Sequence, residues 1–504
     1  MTLTSSPPPP QDLRRRTFGG VVWSYATFVS GKGAAVLTTV VLARLLTPSD
    51  FGLVAVGLLC INYLDRVKDL GIGSALIHTR DESRRTLGTG ITVTFVSTTA
   101  LSLLAFAAAP LAADFFHNDD VTGVVRALAV AYFVSGLGIV PDSRLRRSLD
   151  FRRRTIPEVS GALVKGGVSI ALAVAGFGAW SLVWGQVAGT AVVSVLDWWL
   201  AGIRPFLAWD GTSARDLLRY GLPLMAVAVL GVVVDNLDYL VVGRRMGERE
   251  LGLYTLAYRV PELLVLNFLV VVSMVLFPSL SALQHDRPAM RRAYLDALRH
   301  VTLVTLPLGV VVAGLAPETI TVLFGPRWEA AIVPAQLLAI ATLLYSISFH
   351  AGDVYKAIGR PGILNTVGIL KVAGFAPVLW WAAGHSLVAV AATTVLLQLL
   401  FTGLKLGIAG HVLDIAPAQW FSTLRPALVC GGLLAVLLVG MRWSHLPLLH
   451  TSTPPWLRLA VLGAAALLLY AGCLRWQQPD LFRALTGRFR TLGRPAARTT
   501  GGRS

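Results

Sequence analysis

The sequence predicts an all-α integral membrane protein with about 14 transmembrane helices. Three observations predict it. Hydrophobic residues fill 55% of the 504 positions and charged residues only 14%, against roughly a quarter charged in a soluble chain. Apolar stretches of about 20 residues recur along the chain, each long enough to cross a hydrocarbon core of about 30 Å. Arginine-rich and arginine-poor loops alternate between these stretches, the positive-inside pattern of a multi-pass protein with both termini in the cytoplasm.

The elements follow in order. Residues 1–16 are polar, with a Pro7–Pro10 run and Arg14, Arg15 and Arg16; they read as a disordered cytoplasmic lead-in. No small-residue cleavage site follows a short apolar core, so the first span is expected to be an uncleaved anchor. Expected spans are 17–44, 50–78, 88–111, 122–142, 157–175, 179–201, 217–242, 249–283, 300–316, 329–351, 361–383, 386–408, 423–441 and 457–474. The hairpins between spans five and six, and between eleven and twelve, carry the weakest breaks, which leaves a count of twelve to fourteen. Basic loops contain Arg80, Arg84 and Arg85, then Arg144 to Arg154, then Arg287, Arg291, Arg292 and Arg299. Opposite loops such as 114–120 have no Lys or Arg; the 243–250 loop is the exception, with Arg244, Arg245 and Arg249. Residues after Arg475 form a basic tail suited to anionic lipid.

Net charge is +17. Roughly 30 of the 44 Lys and Arg fall in the loops and tails of one side, so topology and lipid account for the excess and nucleic acid is not an expected partner. Cys60, Cys430 and Cys473 all lie in apolar segments without paired spacing, which indicates neither a disulfide framework nor a zinc site. No phosphate-binding GxxxxGK[ST] loop and no HExxH motif occurs, so no cofactor or catalytic metal is expected. His285, His300 and His350 read as isolated structural or interfacial residues, and the tryptophans near span ends as an interfacial belt.

An internal echo appears at an offset of 200. Residues 42–54 read LARLLTPSDFGLV and residues 242–254 read VGRRMGERELGLY, aligning Arg44 with Arg244, Gly52 with Gly252 and Leu53 with Leu253. Both stretches join an outward span to a returning one. An offset of six spans preserves orientation, so the repeat is parallel, a transporter arrangement.

LARLLTPSDFGLVAVG at 42–57 and DLGIGSALI at 69–77 resemble the start of bacterial polysaccharide flippases of the multidrug/oligosaccharidyl-lipid/polysaccharide exporter superfamily. DNLDYLVVGRRMGERELGLYTLAYRVPE (235–262), LFPSLSALQHD (276–286) and LFGPRWEAAIVPAQLLAI (323–340) resemble their later segments. The resemblance covers roughly residues 17–360, about two thirds of the chain. It implies two six-helix lobes in parallel pseudo-repeat around a cavity, plus two C-terminal helices. On this chain that gives an N-lobe at 17–201, a C-lobe at 202–408, helices thirteen and fourteen within 409–474 and a tail at 475–504.

A charge at the bilayer centre costs roughly 2.5–3.5 kcal/mol on insertion scales, so each one needs a reason. Lys32 lies about 15 residues into the first span, flanked by Gly31 and Gly33, with snorkelling to the interface as its competing use. The second span carries Asp65, Arg66, Lys68 and Asp69. Asp65 shares a helix face with Lys68 and Asp69, leaving Arg66 for a partner or ligand, unless the four close into a structural cluster. Asp235 and Asp238 share a face of span seven and are candidates for pairing with Lys32 or Arg259, or for holding a coupling cation. In span eight, Arg259 and Glu262 flank Pro261. Arg259 is the leading phosphate-binding candidate, because guanidinium meets phosphate in a bidentate fork. Lys165 and Lys371 occupy matching places in spans five and eleven and extend a cationic lining or snorkel. The resemblance implies cations on helices one, two and eight around a pyrophosphate, and Lys32, Arg66 and Arg259 stand on those spans.

The resemblance therefore implies a flippase for a polyprenyl-pyrophosphate-linked oligosaccharide in the bacterial cytoplasmic membrane, working by alternating access. Its expected partners are that substrate, membrane lipids, a polysaccharide polymerase and other assembly proteins. Two alternatives remain open: a cation-coupled drug exporter, whose cavity would be net acidic, and a membrane glycosyltransferase or polymer ligase, which would need an extracytoplasmic catalytic set.

Overall fold

The computed structural model describes residues 33–65, 84–147, 151–203, 206–444, 453–477 and 479; within helices, side chains at 65, 84, 147, 151, 152, 154, 213, 217, 218 and 220–230 are outside the description. Helix follows helix throughout, and no strand occurs among the described residues. They are α1 (Gly33–Leu45), α2 (Pro48–Asp65), α3 (Arg84–Phe116), α4 (Asp120–Leu137), α5 (Ile139–Arg147), α6 (Phe151–Val174), α7 (Ala179–Ala201), α8 (Gly211–Met246) and α9 (Glu248–Pro261). A π-helical turn at Glu262–Leu266 leads into α10 (Asn267–Ala282). Then come α11 (Arg287–Gly314), α12 (Ala316–Leu323), a 3₁₀ turn at Pro326–Ala331, α13 (Ile332–Phe349), α14 (Ala351–Ala357), α15 (Gly362–Ala382), α16 (Leu387–Leu413), α17 (Pro417–Trp443) and α18 (Pro455–Gln477).

Eleven helical segments of the described residues are long and apolar enough to cross a membrane, and α1 and α2 are shorter apolar helices. The expected all-helical membrane fold is therefore found, while the expected count of fourteen spans is not established. The two weak hairpins are real turns. Gly176 (φ 85°) and Gly178 (φ 52°) reverse the chain between α6 and α7 in a conformation that glycine adopts without a Cβ penalty. Local chemistry starts two of the other helices. Thr47 N–H donates to Asp50 Oδ2 (2.8 Å) and Asp50 N–H to Thr47 Oγ1 (3.3 Å), a reciprocal cap on α2. Asp286 accepts the Ala289 N–H at 2.9 Å and caps α11.

The chain divides into two compact units. The first comprises Met1–Leu256, Leu323–Ala330 and Asn365–Thr393. Small residues let its helices approach closely, as packing without a hydrophobic drive in lipid requires: Gly161, Gly185 and Gly189 bring α6 onto α7, and Gly57 of α2 meets Val124 and Leu128 of α4. Hydroxyls on one helix donate to backbone carbonyls of another, Ser102 to Ala129 (2.7 Å), Tyr132 to Leu64 (3.0 Å) and Ser194 to Val134 (2.8 Å). Trp328 is fully buried, with its Nε1–H donating to the Ala43 carbonyl at 2.8 Å and its ring edge-on to Phe51.

The second unit comprises Ala257–Val322, Ala331–Leu364 and Thr394–Ser504. Its core joins Leu276, Leu280, Met290, Tyr294, Leu298, Leu306 and Ile347. Arg442 of α17 donates to Glu318 of α12 (2.6 Å) and to the Gly314 carbonyl (2.9 Å), which satisfies a carboxylate only 6% exposed. Tyr470 of α18 donates to the Leu303 carbonyl at 3.0 Å. Cys430 and Cys473, unrelated in sequence spacing, sit side by side as free thiols between α17 and α18.

Candidate functional site

The helix break in the eighth expected span is the best-defined feature among the predicted site residues. Pro261 lacks an N–H and bends the chain, and the π-helical turn that follows adds one residue per turn. Asn267 repairs part of the disruption, with its Nδ2 3.3 Å from the carbonyls of both Glu262 and Leu263. Irregular backbone of this kind persists in a membrane only where protein or a cavity serves it. Arg259 and Glu262 sit at the break, joined by an Nη1–Oε2 ion pair of 3.1 Å, with both side chains more than a third exposed. Arg259 therefore carries an intramolecular counter-ion rather than standing alone, as its i,i+3 spacing from Glu262 allows. One guanidinium nitrogen is engaged by one carboxylate oxygen.

A second constellation lies in the first unit. Asp238 of α8 accepts from the Tyr254 hydroxyl of α9 at 2.7 Å and from the Tyr239 backbone N–H at 3.0 Å. Lys371 of α15 lies in electrostatic range of this carboxylate, and Tyr63 of α2 joins the same neighbourhood. The side-chain hydrogen-bond partner of Asp238 is thus Tyr254, with Lys371 in electrostatic range, and a pairing with Lys32 lies outside the described residues. The Lys371 ammonium also lies 5.1 Å from the Phe375 ring centroid. Asp235 is exposed on the same helix, and it has a polar contact of its own.

Lys165 is exposed on α6, while its backbone forms the surface against which Gly185 and Gly189 pack. Lys32, Arg66, Lys68 and Asp69 lie outside the described residues, and Asp65 is the last residue of α2 with its side chain outside them. The structure thus brings together Arg259 with Glu262, puts Lys371 in electrostatic range of Asp238, and leaves the expected meeting of Lys32 and Arg66 with Arg259 outside the described residues.

Two groups escaped the sequence reading. His350 is not isolated: it is fully buried and its Nδ1 lies 2.9 Å from Asp353 Oδ2. The HxxD spacing at 350–353 was the available signal, since i,i+3 residues share a helix face. Arg287 at the start of α11, Arg360 between α14 and α15, and His411 in the last turn of α16 line a cavity of about 230 Å³ with Gln284. No group of three or more His, Cys, Asp or Glu suited to a metal ion occurs among the described residues.

Comparison with known proteins bears on the whole arrangement. Residues 41–333 match the model of a family described as polysaccharide biosynthesis protein. The lipopolysaccharide biosynthesis protein WzxC of Escherichia coli K12 is 27% identical over 375 residues, covering 73% of this chain and 75% of that protein. The teichuronic acid biosynthesis protein TuaB of Bacillus subtilis is 24% identical, covering 80% of this chain and 84% of its own length. The succinoglycan biosynthesis transport protein ExoT of Rhizobium meliloti is 25% identical over 73% of this chain and 75% of ExoT. Among solved structures, the lipid II flippase MurJ in an inward closed conformation aligns with a TM-score of 0.72 at 14% identity, covering 92% of this chain and all of that one. An inward-facing multidrug transporter of the MATE family aligns at 0.64 and 15% identity, over 78% of this chain and 98% of that one. These last two likenesses establish a shared transporter fold.

Proposed function

We propose that this chain, which belongs to the polysaccharide biosynthesis protein family, flips a polyprenyl-pyrophosphate-linked oligosaccharide across the bacterial cytoplasmic membrane. The observation that carries the reading is the family match over 41–333, joined by relatives named for lipopolysaccharide, teichuronic acid and succinoglycan biosynthesis that align over about three quarters of their length. The transporter fold supports movement of a substrate rather than bond chemistry. The positive-inside charge pattern supports cytoplasmic N- and C-termini.

The proposed cycle is alternating access between two lobes, residues 17–201 and 202–408. Basic side chains on the first, second and eighth spans, with Lys165 and Lys371, receive the dianionic headgroup, and the lipid tail stays in the bilayer. Arg259 exchanges Glu262 for phosphate, a substitution that moves one carboxylate–guanidinium contact onto a bidentate phosphate contact. Asp235 and Asp238 hold or balance charge as the headgroup leaves. A polymerase on the outer face consumes the product.

The test is deletion of the gene in its host, followed by analysis of polyprenyl-linked sugars on each side of the membrane. A complete lipid-linked oligosaccharide accumulating on the cytoplasmic side, with the surface glycan lost, is the expected result. Normal lipid-linked sugars with altered drug retention would replace the reading with a drug exporter.

A further inference from the structure

We infer that the cationic cavity of the second unit is a binding site for the phosphate of an anionic lipid headgroup. Arg287, Arg360, His411 and Gln284 line about 230 Å³ of space, and all four are exposed, so the cavity is open to a ligand. Among the described residues, none of these four side chains has a hydrogen-bond or ion-pair partner. No acidic residue lines the cavity. Asp286, beside Arg287, spends Oδ1 on the Ala289 N–H at 2.9 Å. Asp414, three positions past His411, is engaged there through its backbone carbonyl.

The walls are tied to one another without a ligand. Arg291 Nη1 of α11 donates to the Asp414 carbonyl at 2.8 Å, which holds the end of α16 against α11. The Tyr355 hydroxyl of α14 donates to the Lys405 carbonyl of α16 at 2.6 Å. Gly359, at φ 72°, reverses the chain after α14, and the Arg360 N–H closes that turn on the Tyr355 carbonyl at 2.9 Å. The backbones that carry Arg287, Arg360 and His411 are therefore fixed in advance, and a ligand orders only side chains.

The donor set selects the ligand. Two guanidinium groups offer planar forks that match phosphate oxygens, and their bonds to an anion are charge-assisted. Gln284 adds amide N–H donors, and His411 has one ring N–H even when neutral, so the site does not depend on its protonation. Two like charges facing one space repel, and an anion between them removes that repulsion. The lipid source follows from position. Ile358 and Leu413 give the same cavity an apolar side. Its three walls are ends of expected spans whose loops all read as cytoplasmic, which puts the cavity at headgroup level, where the leaflet is negative. None of the lining residues belongs to the candidate substrate site, so the inference rests on the membrane orientation and not on the flippase reading.

The experiment is thermal unfolding of the purified full-length protein in detergent, titrated with phosphatidylglycerol, with phosphatidylcholine of the same acyl chains, or with glycerol 3-phosphate. A ligand that binds the folded state raises the midpoint as its concentration rises. Wild type is expected to respond to phosphatidylglycerol and much less to phosphatidylcholine. The double variant Arg287→Gln, Arg360→Gln is expected to need at least about tenfold more phosphatidylglycerol for the same rise, having lost two charge-assisted contacts. Arg292→Gln is the control for general surface charge. Arg292 is exposed on α11 but does not line the cavity, lying about 140° around the helix from Arg287, and its variant should respond as wild type does. Should the double variant fail to fold, Arg360→Gln takes its place, with about a threefold loss expected. Equal responses of wild type and the cavity variant overturn the site, and so does an equal loss in Arg292→Gln. Glycerol 3-phosphate acting at the same concentrations as phosphatidylglycerol overturns the lipid source and gives the cavity to a soluble phosphate. None of these readings depends on transport, so a negative result here leaves the flippase proposal to its own test.

Discussion

Gly52 and Gly252 lie against each other's helices in reciprocal contact. A Cβ built on Gly52 would collide with the carbonyl of Glu248, and one built on Gly252 with the carbonyl of Pro48. Each glycine stands four residues into its helix, α2 or α9, and the four positions pair at the offset of 200 seen in the sequence. The internal echo therefore has a physical basis in a two-fold-like seam of backbone against backbone.

Gly52→Ala and Gly252→Ala are each expected to destabilise the protein by about 1–3 kcal/mol, because the obstructing atom is a carbonyl that no rotamer change can move. The double variant should cost less than the sum, since one separation of the helices relieves both clashes. Thermal unfolding of the three variants checks this.

Arg259→Ala is expected to abolish glycan export while membrane insertion remains normal, and Arg259→Lys to be impaired through loss of the bidentate fork. Glu262→Gln separates binding from structure. It frees the guanidinium of its counter-ion, and export should persist. The pair is more than a third exposed, so neither change should shift stability by more than about 1 kcal/mol. Surface glycan is the readout for function, and the unfolding midpoint for structure.

Trp328→Ala removes the hydrogen bond to Ala43, the edge contact with Phe51 and a fully buried ring, at an expected cost of about 3–5 kcal/mol. Trp328→Phe keeps most of the ring and should cost clearly less, mainly through the unsatisfied carbonyl. Unfolding midpoints of the two variants rank the terms.

Copper-phenanthroline oxidation of the native chain is expected to link Cys430 to Cys473 within one molecule, since the two thiols face each other. Cys430→Ser should abolish the link, and Cys60→Ser should leave it unchanged. Peptide mapping by mass spectrometry identifies the joined pair.

Glu318→Ala, by contrast with Arg442→Ala, removes the buried charge itself. Arg442→Ala leaves a carboxylate that is 6% exposed without its partner and should cost about 3–5 kcal/mol, whereas Glu318→Ala should be milder. Unfolding midpoints of both variants check the asymmetry.

The sequence by itself determined that this chain is a helical membrane protein, where most of its spans run and which hairpins join them. Those properties follow from transfer free energy and charge summed over about 20 neighbouring residues, so they are written locally. The Arg259–Glu262 pair was equally local, at i,i+3, although its effect on the arginine emerged only with the side chains in place. Tertiary structure alone decided the rest. Ser273 reaches Asp353 across 80 positions and Trp328 reaches Ala43 across 285. Gly52 comes to Glu248 from a helix distant in the chain. No periodicity encodes such meetings. They arise when helices settle at the closest approach their small residues permit, and polar groups cut off from water then take whichever partner that packing supplies.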